Sequence, residues 1–352
     1  MAINLADKYS SKIAEKFTQE SIVAGKCSKE WDFSGVKSIK IYTPQTVDLV
    51  DYTRSGSNRY GTPTEMGDTV QEMTMTQDKS FSLTIDKGNN TEQMMIKNAG
   101  KMMNLQLKER VVPTVDMYAL KTFAHKAGKI VKETAALKKD TIFAAVCEAE
   151  THMTDNLVPT SERYLYISGK NYNILRQSNE FINVNETLNL KAIEKGVVGE
   201  IVGFKVVKVP SSYLPTGVNF IACYKNAVLM PYKIKDNKIH TDPPGISGAL
   251  LEGRNLFDAF VIGQRAHGVY VSLNSEAVVA AAPTVSTDGT ITNVDGTHTV
   301  WYTVDGTDPR YSNSRKIFGG TVEGAASGVM LKAYTEGDEE TFPSDLREAK
   351  VL

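Results

Sequence analysis

Residues 196–215 read GVVGEIVGFKVVKVPSSYLP, an apolar, β-branched run punctuated by Gly196, Gly199 and Gly203 and interrupted at Pro210. Glycine tolerates positive φ and close backbone approach, so glycines a few residues apart among valines mark tight corners between short strands. Three further blocks follow: NFIACYKNAVLMPYKI (219–234), the turn-rich IHTDPPGISGALLEGRN (239–255) and FDAFVIGQRAHGVYVSL (257–273). Each clusters or alternates β-formers between Gly, Pro, Asn and Asp breakers. The stretch 196–273 is expected to fold as one strand-rich unit, and nothing in it has the make-up of an active site.

Upstream, KKDTIFAAVCEAETHMTDN (138–156) puts Ile142, Val146, Ala149 and Met153 on one helical face. RYLYIS (163–168) reads as a strand and GKNYNILRQS (169–178) as a helix, and Leu188 and Ile193 suit a short helix before the glycine corners. Residues 91–127 form the strongest helical segment, with Thr91 as a candidate N-cap and Gly128 as a candidate C-cap. Pro113 predicts a kink there or two helices in sequence. The methionines between Met94 and Met103, at helical spacing and without His or Cys beside them, read as core packing rather than a metal box.

Residues 36–86 carry period-two alternation in two arms, Ile39, Ile41, Val47 and Leu49 outgoing and Met73, Met75, Phe81, Leu83 and Ile85 returning. Between them TRSGSNRYGTPTEMGDT (53–69) has loop-tip composition. A long hairpin with a wide tip is predicted, and two strands alone bury too little to be stable without a partner surface. Residues 1–35 begin with Leu5, Tyr9, Ile13 and Phe17 at helical spacing, then carry an anchor-like pair at Trp31 and Phe33. Such a segment packs either on its own domain or along a neighbour.

The ordered series G-x-x-G-x-I-x-G-F-x-V from Gly196, the proline-closed loop, Asn226-Ala227-Val228 and Gly268-Val269-Tyr270-Val271 resembles the axial domain of tailed-bacteriophage major capsid proteins. That is the HK97-like fold, which bacterial encapsulins share. The resemblance spans roughly residues 1–275 and implies an α+β chain with an N-terminal arm (1–35), an extended hairpin loop (36–90), and peripheral and axial domains with a spine helix (91–279). It implies a structural protein that self-assembles as hexamers and pentamers of an icosahedral capsid, with hairpin-tip residues Arg54, Arg59, Tyr60 and Glu65 touching a neighbouring subunit. The implied partners are other copies of the chain, a portal, a separate scaffolding protein, and packaged double-stranded DNA held without sequence-specific contact. The implied location is the virion, with assembly in the host cytoplasm.

AAAPTVS (280–286) marks a change of style, from which a linker and a second domain are expected, with few contacts across the boundary. VWYTVDGTDPRYSNSRKIF (300–318) and VMLKAY (329–334) resemble the small immunoglobulin-like module at the C-termini of chitobiase-type glycosidases. The resemblance implies an all-β domain over 283–352 that decorates the outer face. Trp301, Tyr302 and Tyr311 are candidates for stacking on sugar rings, with host-surface glycans as the ligand; a core role explains Trp301 equally well.

The formal charge of −1, from 40 basic and 41 acidic residues, gives no basic field of the kind that marks nucleic-acid binding. Cys27, Cys147 and Cys223 form no C-x-x-C and are expected to be buried thiols of a chain that folds in the cytosol. The N-terminal stretch lacks the apolar core of a signal peptide, and no apolar run approaches the length that spans a bilayer, so no membrane partner is expected. The five histidines are scattered outside any zinc pattern, and no nucleophile elbow or phosphate loop occurs. His240 with Asp242 lacks a nucleophile, and Asp305 with Asp308 lacks the further carboxylates of a calcium loop. No enzyme activity, cofactor or metal is expected. An encapsulin-type nanocompartment shell and a carbohydrate-binding surface protein are the alternatives.

Overall fold

A computed structural model describes residues 20–31, 33, 38–44, 46–47, 49–63, 65–92, 98–178, 197–292 and 296–352. The helices expected at 1–17 and at 188–193 lie outside the described residues. The chain begins with strands β1 (Ser38–Pro44), β2 (Asp68–Thr74) and β3 (Gln77–Asp86), followed by α1 (Lys87–Glu92), α2 (Ala99–Gln106), a π-helical turn (Leu107–Val111) and α3 (Val112–His125). Next come β4 (Lys129–Lys132), α4 (Ile142–Asp155), β5 (Arg163–Ser168), α5 (Gly169–Arg176), β6 (Val197–Ile201), β7 (Phe204–Val209), β8 (Val218–Tyr224) and β9 (Val228–Leu229). The long strands β10 (Tyr232–Thr241) and β11 (Gly248–Phe257), then β12 (Phe260–Val261) and β13 (Val269–Leu273), complete the body.

A six-stranded mixed sheet in the order β4-β13-β8-β5-β7-β6 forms the centre. All six residues of β5 are buried, because both faces of the sheet are covered. Tyr164 and Tyr166 join Leu120, Phe123 and Ala124 of α3 on one side, while Leu165 and Ile167 join Val146, Ala149 and Met153 of α4 on the other. A strand with no solvent face reads as a continuous apolar run, as RYLYIS does apart from its ends. The corner between β6 and β7 turns on Val202 and Gly203, both at positive φ.

The spine helix passes through Pro113 without breaking. Proline has no N–H and its ring crowds the carbonyl four residues back. The wide turn before it, closed by the Val112 N–H on the Leu107 carbonyl, absorbs that conflict. Two expected caps are corrected. Asn98, whose side chain accepts from the Lys101 N–H, caps α2, whereas Thr91 lies inside the short α1. Gly128 is not a helix cap but a close-packing residue: α3 ends at Lys126, and a Cβ at Gly128 would lie 2.2 Å from the Ala266 carbonyl oxygen.

The expected two-arm hairpin is also corrected. β1 and β2 pair as predicted, from Ser38 opposite Thr74 to Pro44 opposite Asp68. Beyond Met75 the return arm leaves its partner, and β3 becomes the edge of a three-stranded sheet, β10-β11-β3. There the Phe81 ring lies over Gly253, where a Cβ would be only 2.2 Å from it. Val47 and Leu49, the expected outer half of the outgoing arm, lie outside any strand and are exposed.

Residues 283–352 hold a four-stranded sheet and a small hairpin, β15 (Thr284–Val285) with β16 (Ile291–Thr292). The sheet order is β18 (Lys316–Ile317), β17 (Val300–Thr303), β19 (Met330–Thr335) and β21 (Arg347–Lys350). Its own core is Ile291, Val300, Tyr302, Leu331, Ala333 and Val351. The expectation of few contacts across the boundary fails. Val278–Val279 (β14) pairs in parallel with Thr341–Phe342 (β20), Ala277 and Ala280 are buried, and Phe342 belongs to the core of the body. Small side chains there do not mean nothing to bury; they let two backbones come together.

Arg310 fixes the seam. Its Nη1 donates to the carbonyl oxygens of Ala127 and Gly128 at 3.1 and 2.8 Å, and the Tyr311 hydroxyl donates to that of Lys126 at 2.6 Å. These are the acceptor groups just past the end of α3, where a helix leaves carbonyls unpaired and its dipole favours a cation. Asp308 holds the same guanidinium through Nη2 at 2.6 Å. Replacing Arg310 by Ala strands a largely buried carboxylate and two carbonyls. We expect a loss of about 2–4 kcal/mol by urea unfolding, with Arg310→Lys recovering little because a point charge lacks the fork. Ending the chain after Ala280 is expected to leave an aggregating body rather than a stable one, checked by solubility and size exclusion.

Candidate intersubunit surface

The hairpin divides into an anchored base and an unanchored tip. Ile41, Met73 and Met75 are buried with Phe33, Leu229 and Ile262, so the base has its own core. The Gln71 side-chain amide donates to the Val261 carbonyl oxygen at 2.9 Å and its Oε1 accepts from the Gly263 N–H at 2.8 Å. Asp258, itself buried, accepts from the Thr76 N–H at 2.7 Å and from the Tyr118 hydroxyl of α3 at 2.8 Å. Where the N-terminal arm is described it packs on its own subunit: Ile22 and Val23 are in the main core, and Phe33 stacks on Phe260 at 5.6 Å.

Past Pro44 that support ends. Among the described residues, seven of the fifteen exposed large apolar side chains fall between positions 42 and 66: Tyr42, Val47, Leu49, Val50, Tyr52, Tyr60 and Met66. Leu49 is fully exposed and Tyr60 is 85% exposed. Scattered single apolar residues on a surface are ordinary, whereas a concentration of this kind marks a surface meant to be covered. The tip is shaped locally. Positive φ at Gly56, Asn58 and Gly61 turns the chain, the Thr53 N–H meets the Arg59 carbonyl oxygen at 3.1 Å, and the Tyr52 and Tyr60 rings meet edge-on at 5.0 Å. The Arg59 side chain donates to the Gly56 carbonyl oxygen at 3.2 Å, and Arg54 and Glu65 are exposed.

The three aromatic candidates on the C-terminal module do not form a platform. Tyr302 is buried in the module core, and Tyr311 packs against the body with its hydroxyl on Lys126. Strand parity turns Tyr302 inward and the turn after Asp308 carries Tyr311 onto the body, so neither ring is presented to a sugar as expected. Trp301 is half-buried; its indole N–H donates to Glu336 at 2.7 Å and Arg315 covers its ring at 4.1 Å.

Asp305 and Asp242 hold turns. Asp305 accepts from Thr307 and Ser314, holding the turn that carries Arg310. Asp242, at φ +47°, accepts from the Gly248 N–H at 2.9 Å to close the β10–β11 turn, while His240 faces Glu252 at 3.3 Å. Burial pushes the Cys27 thiol up to about 12 and raises the Cys223 thiol as well, which makes both poor nucleophiles. Among the described residues no group of three or more His, Cys, Asp or Glu could hold a metal ion, and no helix is long and apolar enough to cross a membrane.

No protein-family model and no curated protein sequence matches the chain. Solved structures do. A chain from Mycobacterium phage Che8 superposes with a TM-score of 0.61 at 16% identity, over 77% of this chain and 98% of that one. A chain in the capsid structure of the cyanophage P-SCSP1u gives 0.61 at 15% identity, over 77% and 93%. A chain in the asymmetric unit of the mature capsid of bacteriophage PhiM1 gives 0.60 at 12% identity, over 77% and 92%. The fold is therefore the mixed helix-and-sheet fold of phage capsid proteins, the HK97-like fold, with additional β-strands towards the C-terminus.

Exposed tip residues contribute little to the subunit's own stability. Tyr60→Ser is expected to shift urea unfolding by no more than about 0.5 kcal/mol, whereas Phe260→Ala, at the base, should lose about 3 kcal/mol.

Proposed function

We propose that this chain is the major capsid protein of a tailed bacteriophage, assembling as hexamers and pentamers of an icosahedral shell around double-stranded DNA. The observation that carries the reading is the contrast within one hairpin, on an HK97-like fold, between a base satisfied by its own subunit and a tip whose described apolar residues are exposed. In this reading residues 36–90 are the extended loop, Arg54, Arg59, Tyr60 and Glu65 sit on the adjacent subunit, and a portal and a separate scaffold complete the particle. The near-neutral charge suits a container that holds DNA without gripping it.

Residues 283–352 are in this reading an immunoglobulin-like domain on the outer face, and the seam at Arg310 makes it a clamp on the subunit as well as an ornament. An encapsulin-type compartment has the same fold, and the added module favours the phage reading over it. A carbohydrate-binding role has less support, since Tyr302 and Tyr311 are committed to packing.

Negative-stain microscopy and light scattering of the purified protein are expected to show capsomers or closed shells. A stable monomer at high concentration across several salt conditions would overturn the proposal. Deleting residues 55–67 should leave the subunit folded, with an unchanged circular dichroism spectrum, yet unable to close shells. Normal shells from that deletion would show that the tip has no role between subunits.

A further inference from the structure

Three of the five histidines lie at or beside the place where the body meets the C-terminal module: His125 packs on β20, while His152 and His267 pair within the body near the module's Asp345 and Arg310. His125, in the last turn of α3, lies against Phe342 of β20 with ring centroids 4.5 Å apart and planes 21° from parallel. Its Nδ1 is 2.9 Å from the Lys121 carbonyl oxygen, which assigns the proton to Nδ1, and its Nε2 is buried without a partner. His152 of α4 and His267, in the helical turn Gly263–Gly268, have rings 5.5 Å apart. The Nε2 of His152 is also buried without a partner, with the Tyr270 ring beside it at 5.7 Å. Protonating the first ring would seat a cation under an apolar side chain, and protonating the other two would set like charges side by side.

We propose that this seam is a pH-released clasp, in which protonation of His125, His152 and His267 loosens the module's hold on the body as the medium acidifies. The proposal is independent of whether the chain builds shells. Glu276, Glu336, Glu339 and Glu340 line the hollows beside His125, with Glu339 engaged by Lys121 and Glu336 by Lys126. His125 faces Lys121 and Lys126 on its own helix and Asp338 on the module; burial first, then the two lysines, holds it below the ordinary imidazole range. His152 is pushed down to about 4, by burial first, then by His267 and Lys129, against Asp155 and Asp345. His267 is lowered by burial, then by Arg310 and Lys332, against Asp308 and Glu348. Most of the opposing carboxylates are engaged already: Asp308 by Arg310, Asp345 by Lys129, Glu348 by Lys332, and Asp338 by the N–H groups of Glu340 and Thr341.

The sign follows. A histidine whose value in the closed seam lies below its free value binds more protons when the seam opens. Closure is unaffected above the ordinary value of about 6.5 and weakens progressively below it, towards about 4 for His152.

Hydrogen exchange of the full chain at pH 7.5 and 5.0, corrected for the intrinsic exchange rate and read by mass spectrometry, tests this. Peptides covering 277–283 and 338–344 are expected to lose at least about tenfold in protection at the lower pH, while β5 keeps its own. The variant His125→Phe, His152→Gln, His267→Gln should hold its seam protection at both values. Unchanged protection of the natural seam at pH 5.0 overturns the proposal, and so does a triple variant that opens as the natural chain does. If the triple variant fails to fold, the pair His152→Gln, His267→Gln, which leaves the Phe342 stack in place, must reduce the response by at least about threefold; an undiminished response overturns the proposal equally.

Discussion

A guanidinium inserted at the end of a helix is the contact on which the arrangement of this molecule depends. Arg310 reaches from the C-terminal module to carbonyls that α3 leaves exposed at its close, and Asp308 steadies it from behind. Each of the three parties needs the others. The guanidinium gives the carbonyls donors, and the carbonyls and the carboxylate together replace the hydration a cation gives up on burial. The adjacent Asn313 lies against the hairpin strand β2, so one short loop of the module touches both the spine helix and the hairpin base. A domain that the sequence presents as an appendage is thus built into the frame.

The body could be read in advance wherever local pattern and final environment agreed. Residues 196–273 alternate and turn as their glycines and prolines dictate, and RYLYIS, lacking a polar face, announced a strand covered on both sides. Pro113 signalled a discontinuity, though its form, a π-helical turn in an otherwise continuous rod, depends on carbonyl geometry that composition does not carry. The exposed tip of the hairpin was legible for the same reason as the strands: its residues have turn chemistry.

What escaped notice was contact between distant parts of the chain. The partner of β3 is β11, far along the sequence, and period two is the same whether a strand pairs with its hairpin mate or with a stranger. The alanines before Pro283 looked idle because they have little surface, yet Ala280 is buried and its N–H meets the Phe342 carbonyl oxygen at 2.9 Å. Tyr302 carries an aromatic ring fit for a sugar, but its parity along β17 turns it towards Leu331 and Ala333. The candidate surface was therefore legible as a loop and hidden as a seam.

The corner at Thr76 has a mechanical meaning. There the chain leaves one sheet and enters another, held by Asp258, which is held in turn by Tyr118 of the spine helix. The seven paired residues of β2 project from that corner as a lever of roughly 23 Å. A rotation of about 5° at its fulcrum would carry the far end about 2 Å, more than half a residue's rise along a strand. The helix that sets Tyr118 thereby bears on where the loop points, through the hydrogen bonds that Thr76 and Tyr118 make to a single buried carboxylate.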